Sequence, residues 1–214
     1  MDHLLWDPRI DESNIQVKVN EDSIELSGSV PSHSQKIFAE QDTKEVGEIS
    51  QIINNIAVEF SPEFKTPSDE QIERGVKKIF KINSCLDSKN IEVLVNEGKV
   101  TLKGIVNSYW EKEMATELTS DIPGIISLEN HLAVQPPEPL SDEEIREDIQ
   151  SAMERAVRVN SENVKIEVEN GIVTLSGTVS SMSAYSAAQK AAKLSKGVID
   201  IHNNLDYVLR YDTT

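Results

Sequence analysis

Few residues in this chain are of the types that do chemistry, and their spacing does not group them. There are four histidines, His3, His33, His131 and His202, and no two stand at the i, i+4 spacing of a helical zinc site. They also fail to recur at equivalent places in the repeats described below, so a surface or strand-end role is expected of each. The one cysteine, Cys85, excludes an intramolecular disulfide and a Cys-rich metal site. Its neighbourhood, KINSCLDSKN, offers no histidine as a base, so a small buried or half-buried residue is expected rather than a nucleophile. Serines in SGSV, LSGTV and SSMS lack the G-x-S-x-G frame of a nucleophile elbow. Glu143, Glu144, Glu147 and Asp148 crowd a predicted helix start, where the helix dipole favours negative charge; a loose divalent-cation site is the alternative, and no Asp-x-Asp-x-Asp-Gly calcium loop is present. The glycines form no phosphate-cradling loop. No catalytic residue, metal ligand or cofactor site is therefore expected, and the chain does not read as an enzyme.

The charge balance points the same way. The 214 residues include 37 Asp+Glu against 21 Lys+Arg, a formal net charge of −16, which argues against a nucleic-acid partner. No apolar run approaches the ~20 residues of a membrane-spanning helix. The opening, MDHLLWDPRID, lacks a basic stretch followed by an apolar core. On that reading the chain is cytoplasmic as it stands, with a periplasmic location the alternative if a signal has been removed.

What would position any functional residue is a repeat. IQVKVNEDSIELSGSV (15–30), IEVLVNEGKVTLKGIV (91–106) and VKIEVENGIVTLSGTV (164–179) align through Gly28, Gly104 and Gly177, at offsets of 104 − 28 = 76 and 177 − 104 = 73. The same offsets align IINNIAV (52–58), LENHLAV (128–134) and IHNNLDY (201–207), which carry Asn54, Asn130 and Asn203. Two distant blocks in one register mark internal repetition rather than chance. Proline and acidic residues in SPEFKTPSDE (61–70) and QPPEPLSDEE (135–144) read as linkers. Three domains are expected, at 1–60, 68–135 and 141–210.

Within each unit the periodicities predict α-β-β-α-β. Ile72, Val76, Ile79 and Phe80, and likewise Ile145, Ile149, Ala152 and Met153, recur at helical spacing. Ser68 with Gln71, and Ser141 with Glu144, have capping-box spacing. Two period-two strands follow across turns at Asn20-Glu21-Asp22, Asn96-Glu97-Gly98 and Glu169-Asn170-Gly171. A second helix is predicted near 35–46, 109–121 and 182–195, then a third strand at 49–58, 125–134 and 198–208. The fold class is α+β: three tandem small domains, each a three-stranded mixed sheet with helices on one face. In the first copy, most of the leading helix would have to precede Met1. Its sheet should then expose apolar surface unless something covers it, and Trp6 or a neighbouring unit are the candidate covers. The strand glycines Gly28, Gly104 and Gly177 read as bulges or close backbone approaches beneath the crossing helix. Asn54, Asn130 and Asn203 read as structural, bonded to an adjacent turn, with the lining of a ligand groove as the alternative.

The order helix, D-P-R-I-D (Asp7–Asp11), I-x-V-x-V, turn, V-T-L-x-G-x-V, Ala-containing helix and G-V-x-x-I-x-N-x-L resembles the BON family, named for bacterial osmotically inducible and nodulation proteins. The third copy is closest, through NGIVTLSGTV (170–179) and GVIDIHNNL (197–205), and the three copies cover almost the whole chain. The resemblance implies a non-enzymatic binding module, associated with phospholipid or envelope surfaces and with osmotic stress. It carries over no residue-level binding motif.

Two candidate contact regions come from the residues themselves. Arg74, Lys77, Lys78 and Lys81 form one stripe at i, i+3, i+4 and i+7, suited to an anionic lipid surface or left as a solvated helix face. Leu94 and Ile105 break the polar pattern of an outward sheet face, as an inter-repeat or partner contact would. A lipid surface and another protein are the partner classes left open, with a chaperone-like stress protein or a small-ligand or ion sensor as alternatives. The oligomeric state is not legible.

Overall fold

The computed structural model describes residues 8–20, 23–44, 51–155 and 163–207. The elements run β1 (Ile15–Val19), β2 (Ser23–Val30), α1 (His33–Lys44), β3 (Gln51–Val58), α2 (Asp69–Ile82), β4 (Ile91–Asn96), β5 (Lys99–Val106), α3 (Tyr109–Ser120), β6 (Ser127–Val134), α4 (Asp142–Arg155), β7 (Val164–Glu169), β8 (Ile172–Val179), α5 (Met182–Leu194) and β9 (Asp200–Tyr207). They make three three-stranded mixed sheets in the orders β1-β2-β3, β4-β5-β6 and β7-β8-β9. In the first and third sheets the central strand pairs antiparallel with its hairpin partner and parallel with the strand that returns after the second helix. The expected α+β architecture is therefore the one observed.

The chain forms two compact units, Met1–Gly104 with Met114–Leu132, and Ile105–Glu113 with Ala133–Thr214. In the first, alternation along β2 buries Ile24, Leu26 and Val30, and β3 adds Ile56. Ile10, Ile15 and Ala39 complete that core, with Phe38 packed against it. The first sheet's inner face is thus covered, not bare. Part of the cover is the segment before β1, tied to α1 by Arg9 over the Phe38 ring (4.1 Å) and by the Asp11 amide donating to Gln35 Oε1 (3.0 Å). Trp6 and the rest of residues 1–7 lie outside the described residues. In the second repeat α2 buries Ile72, Val76 and Phe80, the stripe its period predicts. In the second unit, Ile145, Ile149 and Met153 of α4 meet Val164, Val173 and Leu175 of the sheet and Ala184, Ala188 and Ala192 of α5. Each such side chain, fully buried, contributes on the order of 1.5–3 kcal/mol for the larger aliphatics and aromatics.

Local signals hold the elements in place. The Ser68–Gln71 capping box is formed in both directions, as is its counterpart Ser141–Glu144. Both residues of the β4–β5 turn, Glu97 and Gly98, have positive φ (51° and 74°), as do Asn170 and Gly171 of the β7–β8 turn (52° and 76°), the backbone of a two-residue hairpin. The first residue of each leading helix clamps that turn. Asp69 accepts from the amides of Glu97 (2.8 Å) and Gly98 (2.9 Å), and Asp142 from those of Asn170 (2.9 Å) and Gly171 (2.8 Å).

Candidate functional site

At the repeat positions the backbone geometry accounts for the residue types. Gly28, Gly104 and Gly177 have φ of 107°, 126° and 112°, and a Cβ there would lie 1.9, 1.9 and 2.1 Å from the carbonyl oxygens of Asn14, Asn90 and Asn163. The backbone pressing on each glycine is thus the entry to the neighbouring strand rather than a crossing helix. Ile15 pairs with Gly28 and Ile91 with Gly104, so the first strand of each repeat begins against the glycine.

The asparagines tie the third strand together and link it to the second helix. Asn54 Oδ1 accepts from the amide of Ile56, and its Nδ2 donates to the Lys36 carbonyl (3.1 Å) and Glu40 Oε2 (3.3 Å). Asn130 repeats the pattern with Leu132 and Thr116 Oγ1 (2.7 Å). Asn203 keeps only the strand bond, to the Leu205 amide, and its Nδ2 is buried without a partner.

Arg74, Lys77, Lys78 and Lys81 are all exposed on α2, on the face away from Ile72, Val76 and Phe80. The stripe is not bare cation: Lys77 Nζ pairs with Glu73 and Arg74 Nε donates to the Glu70 carbonyl (3.1 Å). Leu94 is 42% exposed and Ile105 44% exposed. Leu94 belongs to the first unit and Ile105 to the second.

Two expectations are corrected by burial. Cys85 is exposed, not buried or half-buried. Its amide is taken by Asn83 Oδ1 (2.9 Å) in the turn that ends α2, and the apolar Leu86 beside it enters the core instead. His33 is no surface histidine: at 6% exposed it is buried at the start of α1, with Nδ1 unpartnered. Burial, with the nearby Lys36 charge, pushes its pKa down to about 4 and so keeps the ring neutral. The signal that could have found it is the repeat itself. The position 76 residues on is Tyr109, another side chain of large ring and polar tip. Among the described residues no group of three or more His, Cys, Asp or Glu side chains is gathered closely enough to hold a metal ion. No helix among them is long and apolar enough to cross a membrane.

Three hairpin-and-helix repeats that share one glycine contact define a tandem-repeat scaffold. The BON domain model matches residues 1–59, 68–136 and 141–208, and the chain belongs to that family. It is similar to osmotically-inducible protein Y of Escherichia coli (strain K12), 29% identical over 143 residues, which are 64% of this chain and 71% of the relative. It is also similar to outer membrane lipoprotein DolP of Haemophilus influenzae, 31% identical over 147 residues, 64% of this chain and 75% of that one. CdsD, a structural protein of the type III secretion system of Chlamydia trachomatis, aligns over 92% of this chain and 86% of its own at 13% identity, with a TM-score of 0.28. The first two relatives overturn the cytoplasmic expectation: both are envelope-associated, and DolP is by name an outer membrane lipoprotein. That expectation rested on the residues that open the sequence, which do not determine where folded BON domains work.

Proposed function

We propose that this chain is a non-enzymatic attachment module of the bacterial envelope, with domains at 1–60, 68–135 and 141–210, that meets anionic phospholipid through α2 of the second. The carrying observation is a contrast between two copies of one helix. α2 and α4 bury equivalent residues, yet Arg74, Lys77, Lys78 and Lys81 of α2 are replaced in α4 by Glu147, Gln150, Ser151 and Glu154. The core does not require the cations, since α4 folds in the same place without them. α2 carries four basic and three acidic residues, α4 two basic and six acidic. On a chain of net charge −16, α2 is therefore the leading helix that an anionic surface repels least. Each Lys or Arg near such a surface contributes about 1 kcal/mol, screened within a Debye length.

Flotation with vesicles of phosphatidylglycerol and phosphatidylcholine, against phosphatidylcholine alone, tests the reading at low and moderate salt. Co-flotation with the anionic vesicles that weakens with salt, and is lost in the double variant Lys77→Glu/Lys78→Glu, is the expected result. Absence of flotation under every condition removes the lipid reading and leaves a protein partner as the object of attachment.

A further inference from the structure

We propose that the first unit holds a binding site for a small, neutral, single-ring aromatic molecule bearing a hydroxyl group, a phenol in its simplest form. The site is a cleft of about 170 Å³ lined by three separate segments of that unit: Pro31–Ser34 at the start of α1, Phe60 and Phe64 after β3, and Ser120–Ile125 between α3 and β6. It is independent of the lipid reading, which concerns the exposed stripe of α2, none of whose residues lines the cleft.

Size comes first. A dry cavity of about 150 Å³ lined by apolar side chains is enough to hold benzene, so about 170 Å³ suits one ring and little more. The walls are apolar and partly aromatic: Pro31, Ile122 and Pro123, with the Phe60 and Phe64 rings 4.9 Å apart at an interplanar angle of 31°. Ser32, His33, Ser34, Ser120 and Asp121 also line it, and of these His33 alone has a buried polar atom left without a partner. His33 is 6% exposed and lines the cleft, and its Nδ1 has no partner. Buried polar atoms are nearly always satisfied, so an orphaned ring nitrogen beside an apolar cleft calls for one hydrogen-bonding group from an occupant. A neutral imidazole nitrogen can accept or donate according to tautomer, and a hydroxyl can answer either.

The second repeat shows what fits such a place. The residue equivalent to His33 is Tyr109, which packs against the core of the second unit. Its phenol is desolvated enough to push its pKa up to about 12, the carboxylates of Glu113 and Asp200 adding to that effect. There the chain supplies its own ring and hydroxyl. In the first unit the shorter His33 stands at that position, beside a ring-sized cleft. Charge selects among aromatic ligands: Asp121 lines the cleft and the chain carries −16, so an aromatic carboxylate is disfavoured against a neutral phenol.

The experiment is an NMR titration of the full chain with phenol, benzene and benzoate in parallel, reading the resonances of His33, Phe60 and Phe64. Saturable shifts with phenol, with a dissociation constant of about 1 mM for so small a ligand, are expected. Benzene and benzoate should each bind at least about tenfold more weakly. His33→Tyr, which installs the residue found at the equivalent place, should abolish the phenol shifts while the remaining spectrum stays folded. Equal binding of benzene and phenol would overturn the role of His33. Unsaturable shifts, or phenol binding unchanged in His33→Tyr, would overturn the site. If that variant does not fold, the comparison of the three ligands on the unaltered chain decides the matter alone.

Discussion

In the second repeat the leading helix both covers the sheet and steadies the hairpin. Ile72, Val76 and Phe80 are buried, and Asp69 takes two amides of the β4–β5 turn. By the offset of 76, the counterpart of Asp69 in the first repeat would precede Met1. What the structure shows there is a shorter cover, Pro8–Asn14, pinned to α1 by Arg9 and Asp11. Yet the two hairpins share their pairing, Ile15 against Gly28 and Ile91 against Gly104. The difference teaches that the hairpin with its glycine contact is the fixed part of the fold, and that the pieces laid over it can be exchanged.

The largest effect should come from breaking the fixed part. In Gly104→Ala the new Cβ would lie 1.9 Å from the Asn90 carbonyl, at a φ of 126° that L side chains rarely adopt. The neighbour is backbone and cannot swing aside. A loss of about 3 kcal/mol or more is expected, from strain and clash together. Gly28→Ala should cost a similar amount, which chemical denaturation of both variants would show. A much smaller cost in the first repeat would mean that its hairpin is not held as the second is.

The next effect sharpens the contrast between His33 and Tyr109. Because the folded state holds the His33 pKa at about 4, below the ordinary 6.5, the unfolded chain takes the proton first. The stability this contributes is complete above the unfolded value and is lost as pH falls from about 6.5 towards about 4. The full swing is on the order of 3 kcal/mol. Carboxylates also titrate in this range, so the quantity to measure is the difference in unfolding free energy between the unaltered chain and His33→Tyr. That difference should shift in favour of the variant as pH falls. A constant difference would show that His33 gains its proton as easily in the fold as outside it.

Converting the second hairpin to an unclamped one is a smaller step. Asp69→Ala removes both acceptors from the turn amides and should cost about 1–3 kcal/mol. Asp69→Asn, which keeps an acceptor oxygen, should recover part of it. Amide exchange at Glu97 and Gly98 is the local readout, and unchanged protection there would dissociate the helix start from the turn.

These contrasts also mark what could be read from residues alone. The three hairpins, both leading helices and the capping boxes follow from period, turn residues and a shared register, because each is a local pattern repeated. The glycine contact was legible as a close approach, but its partner was assigned to a helix. The pairing that sets the strand entry against Gly28, Gly104 and Gly177 is a relation between two strands and not a pattern in either. His33 and Cys85 were misread for a related reason. Composition gives a histidine a surface role and a lone cysteine a buried one. Here the start of α1 takes His33 inside, and the turn after α2 puts Leu86 in the core and Cys85 out. The basic stripe was legible as one helix face. Its contrast with α4 becomes informative once both helices are seen burying equivalent residues.

The smallest effect tests whether the exchangeable cover is itself optimised. Gly75 lies inside α2, where glycine costs roughly 0.5–1 kcal/mol relative to alanine through lost backbone entropy. Unlike Gly104 it has no positive φ, and a Cβ there would meet the Ile122 side chain at Cγ2 (3.4 Å) and Cδ1 (3.8 Å), ordinary contacts. Gly75→Ala should therefore stabilise the protein by about 0.5–1 kcal/mol, a modest rise in melting temperature, while Gly104→Ala in the same repeat destabilises it. The opposite signs would place the backbone constraint in the hairpin and not in the helix laid over it. A destabilised Gly75→Ala would instead mean that Ile122 cannot give way, and that the loop between α3 and β6 fixes the depth at which the leading helix sits.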